Sequence, residues 1–344
     1  MRLHAVVPPA VIVLTLGFCA GSAASPVADF DQIDPAGEPA LHWQLAEPGQ
    51  TAADLMPAPR VGAPDQPADV DPGQAPEGDY LGWTAYTPDG GRILLTNKLT
   101  DNVTVFDAAT MAMITNIPVG VTPGGIATTD DYAVVACGFS DEVYVIDLAD
   151  YSIAGIFPTG EQPWVVRISP DAARAYVSCD IDDVCEVIDL TTLSHAMTIP
   201  GFPIELLSWG FNSENGRTFY EFTDFEVTPD GQHLMVGNRG DEVLFFNTTT
   251  GAVDFTVSGV PDCVKLSLSG DGSKAIATNT LNPAQITQID VASHTVTGTV
   301  ILSGLSLSMT FDAAVSQDGS KAFVAVSGNQ SAIVRFPTSD HVLL

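Results

Sequence analysis

The chain has 344 residues, with 42 Asp and Glu against 12 Lys and Arg, a formal net charge of −30. A length of this order buries a sizeable core, while such a charge excludes the basic face that nucleic acid or an acidic membrane surface would need. Cations, basic partners and a saline milieu remain compatible with it.

The first 24 residues read as an export signal. Arg2 gives a positive start, an apolar run follows from Ala5 to Phe18, and small residues lead to a cleavage site after Ala24. Cys19 offers lipidation as an alternative, with a bulky Phe18 where a small residue is expected, and a retained anchor is the third reading. No later stretch has the length to span a bilayer as an apolar helix. The predicted location is therefore exported: secreted, periplasmic or on the cell surface.

Residues 25–79 hold ten prolines, eleven acidic residues and one basic residue, Arg60. Such a segment cannot bury enough apolar area to offset its ordering entropy, and it reads as a disordered acidic, Pro-rich linker. Its one apolar patch is Ala40-Leu-His-Trp-Gln-Leu45.

From residue 80 to 344 the composition changes and a repeat appears. Its clearest copy is Ala175 to Asp189: a β-rich run, a polar turn, then a second β-rich run closed by Ile-Asp. Related copies pair Ile93–Asn97 with Val103–Asp107, Ala133–Cys137 with Val143–Asp147, Leu234–Asn238 with Val243–Asn247, and Ala275–Asn279 with Ile286–Asp290. A weaker sixth runs from Ala322 to Phe336. Turn signals precede each hairpin, as in Thr87-Pro-Asp-Gly90, Ser169-Pro-Asp171 and Thr228-Pro-Asp-Gly231. The closing positions Asp107, Asp147, Asp189, Asn247 and Asp290 are spaced 40, 42, 58 and 43 apart, so one interval is long. Each unit holds four short strands without helical periodicity. Four strands at a period of about 40 predict an all-β fold, a β-propeller with six detectable blades.

The pattern Ser-Pro-Asp, Tyr-Val-Ser-Cys, Val-Ile-Asp and Pro-x-Gly, read at Ser169, Tyr176, Val187 and Pro158, resembles the YVTN family of β-propeller repeats. The resemblance covers residues 82–344. It implies an exported or surface-layer prokaryotic protein, and a ring that often closes with seven blades. Similar repeats also build propellers in quinoprotein dehydrogenases, nitrous oxide reductase and lactonase-like enzymes, so the scaffold alone names no activity.

Strand alternation sorts the loops onto two rims. Turns between the first and second strands, and between the third and fourth, lie on one rim. Second-to-third turns and blade-to-blade crossovers lie on the other. The crossover rim gathers Asp101, Asp141, Glu142, Asp180, Asp182, Asp183, Asp241 and Glu242, with Glu161 and Asp262 added by crossovers. This acidic collar suits a hard cation such as calcium, for which Asp101, Asp141 and Glu142 are candidate ligands, or a basic partner surface. It also suits plain turn chemistry, since Asp favours turns.

The long interval is an insertion from Phe202 to Phe222 that carries Trp209 and Phe211. It reads either as a lid on the channel mouth or as a plug over a blade edge. Trp164 lies at the neighbouring crossover and is a candidate binding residue. Cys179 and Cys185 flank one turn and are expected to form a hairpin disulfide if they reach bonding geometry. Arg167 and Glu226 occupy matching innermost-strand positions and predict an inter-blade ion pair.

Enzyme signatures are largely lacking: no His pair has ligand spacing, and there is no nucleophile elbow or phosphate-cradling loop. The chain reads first as a non-enzymatic module that binds a protein or cell-envelope polymer through its crossover rim. The alternative is a lactonase-type hydrolase with a divalent metal in the channel, which would require several convergent oxygens. A purely structural envelope component is the third reading.

Overall fold

The computed structural model describes residues 83–203, 224–279, 285–301, 313–315, Ala322 and Val324 with their side chains, and further strands between 206 and 337 and before residue 45 as backbone. Of the signal and the linker, only three short strands are described, as backbone: Val11–Thr15, which pairs in parallel with Thr299–Ser303 at the outer edge of the fifth blade, and Val27–Asp29 with His42–Gln44, the latter within the apolar patch.

Five blades of four antiparallel strands follow one another along the chain. The first runs Leu81–Tyr86, Arg92–Asn97, Asn102–Asp107 and Met113–Pro118. The second runs Pro123–Thr128, Tyr132–Cys137, Glu142–Asp147 and Ile153–Pro158. The third runs Pro163–Ile168, Arg174–Cys179, Val184–Asp189 and Ser194–Pro200. The fourth, Phe225–Val227, His233–Asn238, Glu242–Asn247 and Val253–Ser258, opens on a short strand. The fifth runs Cys263–Leu268, Lys274–Asn279, Ala284–Asp290 and Thr295–Ser303. A sixth sheet has three strands, Met309–Val315, Lys321–Ser327 and Ala332–Pro337. The strand order is sequential within each blade, and adjoining innermost strands lie against each other from blade to blade. This is the β-propeller that the repeat predicts.

Burial follows from that stacking. Second strands are covered by neighbouring blades on both faces, so Tyr132–Cys137 and Arg174–Cys179 are buried almost throughout. That accounts for continuous apolar runs such as Ala-Val-Val-Ala-Cys where a one-sided sheet would alternate. Outermost strands meet solvent, and Met113–Pro118 and Val253–Ser258 are mostly exposed. The core lies in layers between blades: Val103, Val105 and Leu94 meet Ile126, Val135 and Ile146, and Tyr176, Val187 and Ile199 meet Phe225, Leu234 and Phe246.

The repeat's polar signature is turn chemistry. At the ends of third strands, Asp107 Oδ1 accepts from Thr110 N at 2.8 Å, Asp189 Oδ1 from Thr191 N at 2.9 Å, and Asp290 Oδ1 from Ser293 N at 2.7 Å. The residue four positions on takes a left-handed backbone in Met111, Tyr151, Leu193, Gly251 and His294. In the first turn of four of the five four-stranded blades a hydroxyl donates to an aspartate: Thr87 to Asp89 at 2.6 Å, Ser169 to Asp171, Thr228 to Asp230 at 2.6 Å, Ser269 to Asp271 at 2.7 Å. These two kinds of turn hydrogen-bond one another, as Ala108 N to Gly91 O and Leu190 N to Ala173 O show. They therefore share one rim.

Hydrogen bonds hold these carboxyls below the usual range. Hydroxyl and backbone donors bring Asp189 and Asp271 to about 2, and side-chain hydroxyl donors lower Asp89 and Asp107. A carboxyl with a depressed folded pKa favours the native state above its unfolded value, 3.8, and loses that contribution as pH falls through the folded value. We therefore expect the thermal midpoint to drop steeply between about pH 4 and pH 2 and not between pH 7 and pH 5. Calorimetry across that series checks it, and a flat profile below pH 4 would contradict it.

Candidate functional site: the crossover rim and the channel

The acidic turns of the crossover rim are built by backbone geometry. Asp101, Asp141, Asp183 and Asp241 all have positive φ, between 50° and 67°. Asp tolerates that region better than branched residues do. Their carbonyls accept from the start of the next crossover: Val119 N to Asp101 O, Thr159 N to Asp141 O, Phe202 N to Asp183 O, Gly259 N to Asp241 O.

Two side chains reach further. Asp101 Oδ1 accepts from Thr122 N at 2.8 Å and Asp141 Oδ1 from Gln162 N at 2.9 Å. Asp182 Oδ2 accepts from Glu161 N at 2.8 Å. Asp262 Oδ1 takes Arg239 Nε at 2.7 Å. Glu242 faces Ser258 Oγ at 3.4 Å, and Asp180 N donates to Gln162 O. Much of the collar thus latches each turn to the adjoining crossover.

Calcium would need several oxygens around one point. Among the described residues no three His, Cys, Asp or Glu side chains are gathered to hold a metal. Asp101 and Asp141 belong to different blades and each caps its own crossover, so the donor set expected of Asp101, Asp141 and Glu142 does not fit a shared ion.

The disulfide expected between Cys179 and Cys185 is not formed. Cys179 is opposite Val184 and Cys185 opposite Ser178, so the two thiols face opposite sides of the blade. Both are buried and free, as are Cys137 and Cys263. Burial pushes the Cys179 and Cys137 thiols up to about 12 and raises Cys185 and Cys263 as well, so none is poised as a nucleophile.

The insertion contains an antiparallel hairpin, Leu206–Asn212 with Arg217–Phe222, in which Leu206 is opposite Phe222. Trp209 and Phe211 sit in its first strand, and their side chains lie outside the described residues. Phe202, at the start of the insertion, is fully buried and meets the rings of Phe225 and Phe246 at 5.1 Å each. That end plugs the seam between the third and fourth blades.

Trp164 is the pivot of the rim. It is 6% exposed and slots into the second blade through missing side chains. A Cβ on Gly124 would lie 2.6 Å from its ring, one on Gly138 2.7 Å from it, and one on Gly125 2.2 Å from its carbonyl oxygen. Phe139 meets the indole edge-on at 6.1 Å, and Lys98 Nζ of the first blade lies 5.4 Å from the ring centroid.

The expected Arg167–Glu226 pair is present, at 3.5 Å, and is the weaker half of a network. Arg167 Nη2 donates to Asp224 Oδ1 at 2.6 Å, and Lys265 Nζ stands 3.9 Å from Asp224 Oδ2. Burial would lower the Arg167 pKa, but Asp224 and Glu226 outweigh it and hold the guanidinium above its usual range. Trp83, from the first blade, packs on the core between the third and fourth blades, with its ring 5.5 Å from Lys265 Nζ. It therefore reaches across the propeller axis. Sequence reasoning missed Asp224 and Lys265. The signal was alignment of the innermost strands, where both fall two positions before Glu226 and Ser267.

No family model matches the chain, and no curated protein matches it. Among solved structures, Kuenenia stuttgartiensis hydrazine synthase is similar over 74% of this chain and 95% of that one, at 18% identity and a TM-score of 0.43. At that level the likeness carries no functional argument.

Two expectations follow. Asp224→Asn removes the carboxylate charge that Arg167 and Lys265 share, leaving Arg167 only its weaker contact with Glu226, and should cost about 3–5 kcal/mol in urea unfolding, with Arg167→Met/Asp224→Leu costing less than the single change. Gly125→Ala should cost about 1–3 kcal/mol or more by overpacking against the Trp164 backbone, read the same way.

Proposed function

We propose that this propeller is an exported, non-enzymatic binding module of the YVTN-like type, working from its crossover rim on a protein or cell-envelope polymer. The observation that carries the reading is a set of apolar tips. Leu99, Phe139 and Ile181 stand at equivalent turn positions in three consecutive blades and are 60%, 63% and 53% exposed, with Val121 beside them at 47%. Turn tips at the surface favour small and polar residues, so three large apolar ones in register suit an interface. An aspartate stands two residues after each tip, Asp101, Asp141 and Asp183, which suits a partner of apolar and basic character.

A lactonase-type reaction would need metal ligands converging in the channel. Asp224 and Glu226, which face Arg167, are engaged by cations instead.

Titration of the full chain with a peptide alternating Leu or Phe with Lys or Arg tests the reading. We expect saturable, salt-sensitive binding that weakens about tenfold in Leu99→Ser/Ile181→Ser. Unchanged affinity in that variant, or preference for an acidic peptide of the same pattern, would overturn it.

A further inference from the structure

We propose that the Lys98–Trp164–Phe139 corner of the crossover rim is a pocket for a carboxylate carried on a flat apolar body, such as an aryl carboxylate. The inference deepens the reading of this rim as the working face and names a ligand chemistry for one part of it.

Cations are scarce in this chain, with 12 Lys and Arg in 344 residues. Among the described residues, Arg167 and Lys265 lie on innermost strands and Lys98 reaches from the first blade to Trp164 of the third. Arg167 and Lys265 are matched there by Asp224 and Glu226. Lys98 is not: it is half-buried, and no described carboxylate lies within ion-pair distance of it. Among the described residues its partner is the face of Trp164, at 5.4 Å. Burial lowers its pKa, with no neighbouring carboxylate to offset that.

The Trp164 face offsets part of the hydration that the half-buried Lys98 ammonium gives up, and an anion bound beside it would offset the rest. Equivalent positions in other blades carry Gly138, Asp180 and Arg239, so turn geometry does not require a lysine here. The walls beside it are flat and apolar. Trp164 is locked edge-on to Phe139, and the Phe139 ring stays 63% exposed. A carboxylate at the ammonium with an aryl group along Phe139 and Leu99 would satisfy both features. The surrounding acidic collar opposes anions in proportion to their charge, so among anions a single carboxylate is the one it opposes least.

Saturation-transfer NMR on the full chain, with phenylacetate and benzylamine as paired probes of equal ring size, provides the test. We expect saturable phenylacetate binding, at least tenfold tighter than benzylamine. Lys98→Met should remove at least tenfold of that affinity, and Lys98→Arg should retain it within a few fold. The thermal midpoint of each variant, measured alongside, shows that the fold is kept, and displacement of phenylacetate from wild type by benzoate gives a readout free of mutation. Equal or tighter binding of benzylamine, no saturable binding of phenylacetate, or full affinity in Lys98→Met would overturn the proposal. Failure here with intact peptide binding through Leu99 and Ile181 would sink the pocket alone. Loss of peptide binding with phenylacetate retained would sink the wider reading of the rim alone.

Discussion

The structure depends on one buried carboxylate. Asp224 receives the Arg167 guanidinium from the third blade and faces the Lys265 ammonium from the fifth. Its backbone adds to this, with Asp224 N donating to Val264 O and Gly237 N to Asp224 O. No strand ladder joins one blade to the next, so the blades are tied by single hydrogen bonds such as Thr96 Oγ1 to Gly124 O and Arg174 Nη1 to Thr248 O, and at the axis by charged side chains. Apolar packing supplies the seams between blades, but it is non-directional. A charge network with fixed donor and acceptor directions sets which blade meets which and at what height. Trp83, lying over Lys265 from the first blade, extends that tie across the axis.

The crossover rim repeats the theme at lower cost. Each acidic turn residue takes the left-handed backbone and lends its carbonyl to the following crossover, and in two blades its carboxylate caps the crossover as well. Acidity on this rim is thus partly a by-product of geometry. What geometry does not explain is the apolar series Leu99, Phe139 and Ile181 at the tips, or Lys98 over Trp164. Those residues are where the rim departs from the needs of its own fold, and departures of that kind are where function is to be sought.

Much of this was legible beforehand. The repeat spacing of Asp107, Asp147 and Asp189, the Pro-Asp-Gly turns and the apolar second strands predicted blades and rims because each signal is local. The Arg167–Glu226 pairing was legible from alignment of equivalent positions. Asp224 was not, because it lies just before a short strand, at the end of an insertion that hides its register. The Cys179–Cys185 bridge failed for a related reason. Spacing places the two residues at facing strand ends, but a one-position offset in register turns one thiol to each side of the blade.

By itself the sequence determined the β-propeller class, the blade boundaries and the turn chemistry, since each rests on contacts within a few residues of one another. Tertiary structure alone decided which of the many acidic residues serve as latches and which cations are matched. Lys98, Trp164 and Phe139 come from three different blades and meet only because the ring brings their turns together. Such long-range placement depends on the register and tilt of whole blades, which no short stretch of chain encodes.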